Sequence, residues 1–144
     1  MYLVNRSKHC SVKEVNGDLC VKAILMDSVH EMVMEVLASS EDLLIKKVTV
    51  EMVRVPDPLC KEVIDKVKSL EGLKVGAGVT KKVMERVGHS EGCYHISDLF
   101  MEAVKALRQG QYYLRYKKNP SPKAHFSEVK KELKGTCYTH SHNQ

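Results

Sequence analysis

The chain has no tryptophan and only two phenylalanines. Its core must therefore be assembled from Val, Leu, Ile and seven Met, through many aliphatic contacts rather than a few aromatic anchors. Long apolar runs are absent too: none approaches the ~20 residues that a membrane span requires. The segment Met1-Tyr2-Leu3-Val4-Asn5-Arg6 lacks the basic stretch and following apolar stretch of a secretory signal. No membrane association and a cytoplasmic location are expected. Charge of one sign is scarce as well. A net +5 over 144 residues is too small to predict nucleic-acid binding. What is present is ordinary for a globular domain: 43% hydrophobic and 28% charged residues, enough to bury one core. The five cysteines are odd in number and irregularly spaced. Without an export signal they read as reduced thiols, acting as core residues, nucleophiles or ligands before disulfides.

The N-terminal half reads as sheet. A loose β-like run from Leu3 to Val15 meets the turn Asn16-Gly17-Asp18, and Asn-Gly is a strong hairpin signal because both residues tolerate positive φ. The return strand, Leu19 to Met26, alternates Leu19, Val21, Ala23 and Leu25 against Cys20, Lys22, Ile24 and Met26. Val29 to Ala38 fits a strand with His30, Met32, Met34 and Val36 on one face. A helix grouping Val29, Met32, Val33, Val36 and Leu37 is the alternative, and the strand is favoured. Leu44 to Arg54 is a β-branched strand completing an antiparallel meander.

The second half reads as helix. Asp57-Pro58 is an N-cap followed by proline at the first helical position, and Leu59, Val63, Val67 and Leu70 mark one face up to Gly72. The Gly-rich connection 72–78 leads to a short helix over Val79–Val87, ended by Gly88. A third helix starts near His95 and runs to Gln109 or beyond, with Ile96, Phe100, Ala103, Val104 and Leu107 as its buried stripe. A sheet followed by helices predicts an α+β fold: an antiparallel meander with about three helices on one sheet face. Residues 1–118 would form one domain. Residues 119–144 would form a basic, partly flexible extension with a short helix over Ser127–Lys134 and a tail, Gly135–Gln144, carrying Cys137, His140 and His142.

The chemistry-bearing residues fall into two groups. Cys93 and His95, two apart behind Gly92, sit at a helix start, and Cys60 sits at another. There the helix dipole and free N–H groups favour a thiolate, the form that binds metal. With His30 on the sheet, Cys93, His95 and Cys60 make a candidate zinc or iron–sulfur site. The same residues allow a thiol enzyme, with Cys93 as nucleophile and Cys60 as resolving thiol. The second group is the turn Gly76-Ala77-Gly78 leading to Lys81 and Lys82. Its backbone N–H groups and cations could take an anionic substrate or cofactor, through Gly76, Gly78, Lys81 and Lys82. It lacks the Lys-Ser/Thr ending of a P-loop and the third glycine of a dinucleotide fingerprint.

The run Gly72-Leu73-Lys74-Val75-Gly76-Ala77-Gly78-Val79-Thr80-Lys81-Lys82-Val83, then Gly88, then Gly92-Cys93-Tyr94-His95-Ile96-Ser97-Asp98-Leu99, resembles a bacterial family catalogued as a domain of unknown function. The strand triplet His30-Glu31-Met32 and the helix-opening Cys60 extend the resemblance over roughly Leu19 to Gln109. Family members often have a longer insertion between the equivalents of Asp27 and His30, and the basic tail after Gln111 has no counterpart. The resemblance implies the order of elements and carries no activity. The order of a meander, then helices, with dispersed Cys and His is also similar to that of U-type iron–sulfur scaffold proteins. Three readings stay open: an accessory protein holding a metal or iron–sulfur centre, a Cys93 enzyme acting on an anionic substrate, and a metal-free interaction module forming a homodimer.

Overall fold

The computed structural model describes residues 1–142, and the chain divides into two compact units, Met1–Gly110 and the residues from Gln111 onward. The first unit is built on four antiparallel strands: β1 (Ser7–Val15), β2 (Asp18–Met26), β3 (Glu31–Ser39) and β4 (Ile45–Arg54). They lie side by side in chain order. Asn16 and Gly17, with φ of 51° and 85°, make the two-residue β1–β2 turn that the Asn-Gly pair predicts. The two-residue period decides which face is covered. Leu19, Val21, Ala23 and Leu25 of β2 are buried beside Met32, Met34, Val36 and Ala38 of β3, joined by Val48 and Met52 of β4. On the other face Lys22 and Glu35 are exposed, and Cys20, Ile24, Val33 and Leu37 are half-buried. The strand reading of Val29–Ala38 is correct. A helix would have buried Val29, which is 47% exposed.

After β4 the structure departs from the α-helix expected over Pro58 to Gly72. Pro58–Leu70 is a 3₁₀ helix, capped by the Asp57 carboxylate, which accepts from Leu59 N–H. Its inward residues fall three apart, Val67 and Leu70 followed by Leu73, which suits three residues per turn rather than 3.6. The tighter winding carries Leu59 off the buried face: it is 65% exposed, and Cys60 is the half-buried residue there instead.

Two α-helices complete this unit, α1 (Val79–Val87) and the first part of α2 (Tyr94–Lys118). Val79, Val83 and Val87 are the buried stripe of α1. In α2 the stripe is Ile96, Leu99, Phe100, Ala103, Val104 and Leu107, closing over the covered sheet face. Phe100, Met32 and Met34 are fully buried, so Met supplies the bulk that missing aromatics would give. Each such side chain contributes on the order of 1.5–3 kcal/mol relative to exposure. Gly110 lets α2 approach β1 closely: a Cβ there would lie 2.7 Å from Val12 Cγ1.

The second unit holds the end of α2, α3 (Pro122–Glu132) and α4 (Tyr138–His142). α3 starts five residues before the expected Ser127, because Ser121 caps it and Pro122 takes its first turn. Arg115 on α2 pairs with Glu132 on α3 at 2.6 Å, and the Tyr116 and His125 rings stand 5.2 Å apart. Asn143 and Gln144, the end of the expected tail, lie outside the described residues. Among the described residues no helix is long and apolar enough to cross a membrane.

Candidate functional site

The site grows from the turn between β2 and β3. Asp27 N–H donates to the His30 carbonyl at 2.9 Å, closing a tight turn over Ser28 and Val29. The Asp27 carboxylate folds back on the same turn, its Oδ1 accepting from Val29 N–H at 2.9 Å and His30 N–H at 2.7 Å. This is the Asx-turn habit of aspartate, which here also fixes an imidazole. His30 Nδ1 lies 3.0 Å from Oδ1 and 3.2 Å from Oδ2. Arg6 reaches Oδ2 at 3.3 Å, and Arg54 donates to the Asp27 carbonyl at 2.9 Å.

The electrostatics follow from these contacts. Burial alone would raise the Asp27 pKa, since the residue is only 8% exposed. The hydrogen bonds from Val29, His30 N–H and the His30 ring, with the charge of His30, outweigh that effect and hold the carboxyl down at about 2. Asp27 is therefore an ionised acceptor at neutral pH. In a neutral His30 the shared proton sits on Nδ1, which leaves Nε2 with its lone pair.

The second imidazole comes from the start of α2. Gly92 has no room for a side chain: a Cβ would stand 2.1 Å from the Val87 carbonyl oxygen. Cys93 N–H donates to that same carbonyl at 2.8 Å, and the Cys93 carbonyl accepts from Ser97 N–H at 3.1 Å. The end of α1 is thus pinned to the start of α2, which delivers His95 to the sheet. Its ring centroid lies 4.0 Å from that of His30, tilted by 37°. Burial holds the His95 pKa below its ordinary 6.5, helped by the charges of His30 and Arg6 and opposed by Asp27 and Asp98. Arg6 and Asp98, which act on His95, belong to a chain of ion pairs. Arg6 reaches Asp98 at 3.6 Å, Lys8 reaches Asp98 at 3.0 Å and Glu102 at 3.5 Å. Asp27 also lines a shallow groove of about 280 Å³ with Asn5, Ser7, Met26, Ser28 and Arg54.

Of the expected metal set, the structure brings His30 and His95 together. Cys60 sits in the 3₁₀ helix with its N–H on the Asp57 carbonyl at 3.1 Å, and Cys93 opens α2. All five cysteines are free thiols. Among the described residues no three His, Cys, Asp or Glu side chains are grouped to hold a metal ion, so Cys93, His95, Cys60 and His30 do not gather as one set of ligands. The rings near His95 are those of His30 and Tyr94, and among the described residues no hydrogen bond joins the Cys93 thiol to His95. Gly76, Gly78, Lys81 and Lys82 are all exposed at the start of α1. Gly78 has φ of 77°, and Lys81 leans toward Glu85 at 3.8 Å along its own helix.

Sequence reasoning missed Asp27, Arg6 and Arg54. The signal for Asp27 was available: an aspartate three residues before a histidine at a strand-to-strand turn is placed to bond both the turn and the ring.

Residues 11–109 match the model of a family described as protein of unknown function (DUF2889), and the chain belongs to that family. The match takes in Asp27, His30, Gly92, Cys93 and His95. No curated protein and no solved structure matches the chain.

Proposed function

We propose that this member of the family is an acid–base domain in which Asp27, His30 and His95 move a proton to or from a small ligand bearing an acidic group. The observation that carries the proposal is the cluster of Asp27, His30 and His95: a carboxylate oxygen 3.0 Å from His30 Nδ1, and the His95 ring packed against His30 with ring centroids 4.0 Å apart. Asp27 sets the His30 tautomer and ring position, the role an orienting carboxylate has beside a general base. His95, kept neutral, is the group able to accept a proton near physiological pH. The groove beside Asp27 offers the Arg54 guanidinium, with Ser7 and Ser28 hydroxyls, to a carboxylate or phosphate.

An activated aryl ester is a general probe of such an imidazole. The chain accelerates its hydrolysis, the rate rises with pH as His95 loses its proton, and His30→Gln and His95→Gln each lower it at least tenfold, a 1.4 kcal/mol change in barrier. Equal rates in the wild type and both variants sink the proposal.

A second reading keeps the metal expectation in narrower form. A carboxylate on Nδ1 is the arrangement that orients metal-binding imidazoles, so His30 and His95 would be the protein's donors and Asp27 the group behind them. Two imidazoles alone do not complete the four-ligand set of a structural zinc site. Metal analysis of protein purified anaerobically separates the readings. Stoichiometric zinc lost in His95→Gln and kept in Cys93→Ala supports the metal, and its absence from the wild type leaves the acid–base reading.

A further inference from the structure

The two edges of the sheet are treated differently by the chain. The β4 edge is occupied. Ile45 N–H donates to the Leu73 carbonyl and Gly72 N–H to the Ile45 carbonyl, both at 2.8 Å, while Val48 N–H donates to the Glu71 carboxylate at 3.1 Å. β4 is also irregular at both ends, where its register with β3 shifts. These are the usual protections of a sheet edge. The β1 edge has neither a bulge nor, among the described residues, a main-chain partner, though it carries the charges of Lys8, Lys13 and Glu14. Its register with β2 runs unbroken from Ser7–Met26 to Val15–Asp18, it contains no proline, and among the described residues no strand lies beyond it.

The main-chain groups at that open edge can be identified. Asp27 N–H bonds to the His30 carbonyl, so Asp27 and the other odd-numbered residues of β2 turn their hydrogen-bonding groups toward β3. The even-numbered residues of β2 then bond to β1, through Ser7, His9, Ser11, Lys13 and Val15. The two-residue turn at Asn16 and Gly17, which makes Val15 and Asp18 a bonded pair, demands the same parity. Lys8, Cys10, Val12 and Glu14 are left with N–H and C=O directed outward from the sheet.

We propose that this edge pairs with the β1 edge of a second copy, antiparallel about a twofold axis at Ser11, to make one continuous sheet across a homodimer. In that register the whole of β1 overlaps, and each outward residue meets an outward residue: Lys8 opposite Glu14, and Cys10 opposite Val12. A twofold at Cys10 would set Lys8 against Val12, and one at Val12 would set Glu14 against Cys10. The Ser11 register is the one that joins opposite charges. Glu14 is exposed and, among the described residues, makes no ion pair; in this register it comes to stand opposite Lys8, which also pairs with Asp98 and Glu102 of its own chain. The dimer is independent of the acid–base reading of the His30–His95 pair.

The full chain tests this by sedimentation equilibrium and by site-directed crosslinking in a Cys137→Ser background. The expected mass is twice the 16.3 kDa of the chain. Ser11→Cys places two thiols opposite each other on the twofold, in a pair that is not hydrogen-bonded and has close Cβ atoms, so mild oxidation links the copies. His9→Cys faces Lys13 of the second copy and does not link. Glu14→Pro removes an outward N–H and a charge without touching a bond to β2. It weakens the dimer about 100-fold, through a loss of roughly 1.4 kcal/mol at each of two symmetric positions. Thermal melts confirm that each variant folds. A 16.3 kDa monomer at roughly 100 μM chain overturns the proposal. So does a dimer in which Ser11→Cys links no faster than His9→Cys.

Discussion

Two glycine-containing loops lead into the two helices of the first unit, and they behave in opposite ways. The loop before α1 is held to β4 at Gly72 and Leu73 but is open at its far end: a side chain added at Gly76 or Gly78 would touch nothing within 4 Å, and Lys81 and Lys82 beyond it extend into solvent. The loop before α2 is locked: Gly92 lies against the Val87 and Gly88 carbonyls, and Cys93 N–H is bound to one of them. The open end leads to Lys81, whose ion pair among the described residues is with Glu85 of its own helix. The locked loop presents an imidazole at a fixed place, where a strand turn has fixed another. A loop gains a chemical role here by being pinned well enough to meet a second element.

The contrast can be broken first at Gly92. Gly92→Ala puts a Cβ into backbone carbonyls that cannot move independently, and it should destabilise the fold by about 3 kcal/mol or more. Urea unfolding reads this, and a cost under roughly 0.5 kcal/mol would erase the difference between the loops. Asp27→Ala comes next. It strands Val29 N–H, His30 N–H and the His30 ring, at a cost of about 2–3 kcal/mol. The pH dependence follows from the same group. A carboxyl at about 2 in the folded chain, against 3.8 unperturbed, contributes stability that is complete above about pH 4 and lost as pH falls toward 2. Unfolding midpoints in wild type should fall through that window, and the slope should flatten in Asp27→Ala. Gly78→Ala should cost about 1 kcal/mol, from the positive φ alone. Lys81→Ala and Lys82→Ala should stay within roughly 0.5 kcal/mol of wild type in the same unfolding series. A lysine variant as damaging as Gly92→Ala would show that the open loop does more than connect.

The sheet was legible because alternation and the Asn16-Gly17 turn are local signals, and burial follows them residue by residue through β2 and β3. The stripe of α2 was legible for the same reason at helical period. The winding of Pro58–Leu70 was not, since Asp57-Pro58 starts either kind of helix and only contact with Leu73 and β4 selects the tighter one. Ser121-Pro122 carried the start signal of Asp57-Pro58 and marked α3 earlier than the basic run did. At the site, His30 and His95 could be named together because both lie on inward faces. Their grouping with Cys60 and Cys93 assumed that two helix starts converge. Asp27, Arg6 and Arg54 depended on how the turn folds back and on a neighbouring strand end, which spacing along one chain does not encode.

The central claim is that the His30 ring stands close enough against His95 to act on it, rather than the two being separate surface imidazoles. An NMR pH titration of the His95 ring in wild type and His30→Gln measures this directly. His95 should titrate below its ordinary 6.5 in the wild type and move up toward it when His30 is replaced, because a neighbouring charge has been removed while burial remains. A His95 titration near 6.5 in both proteins would contradict the account.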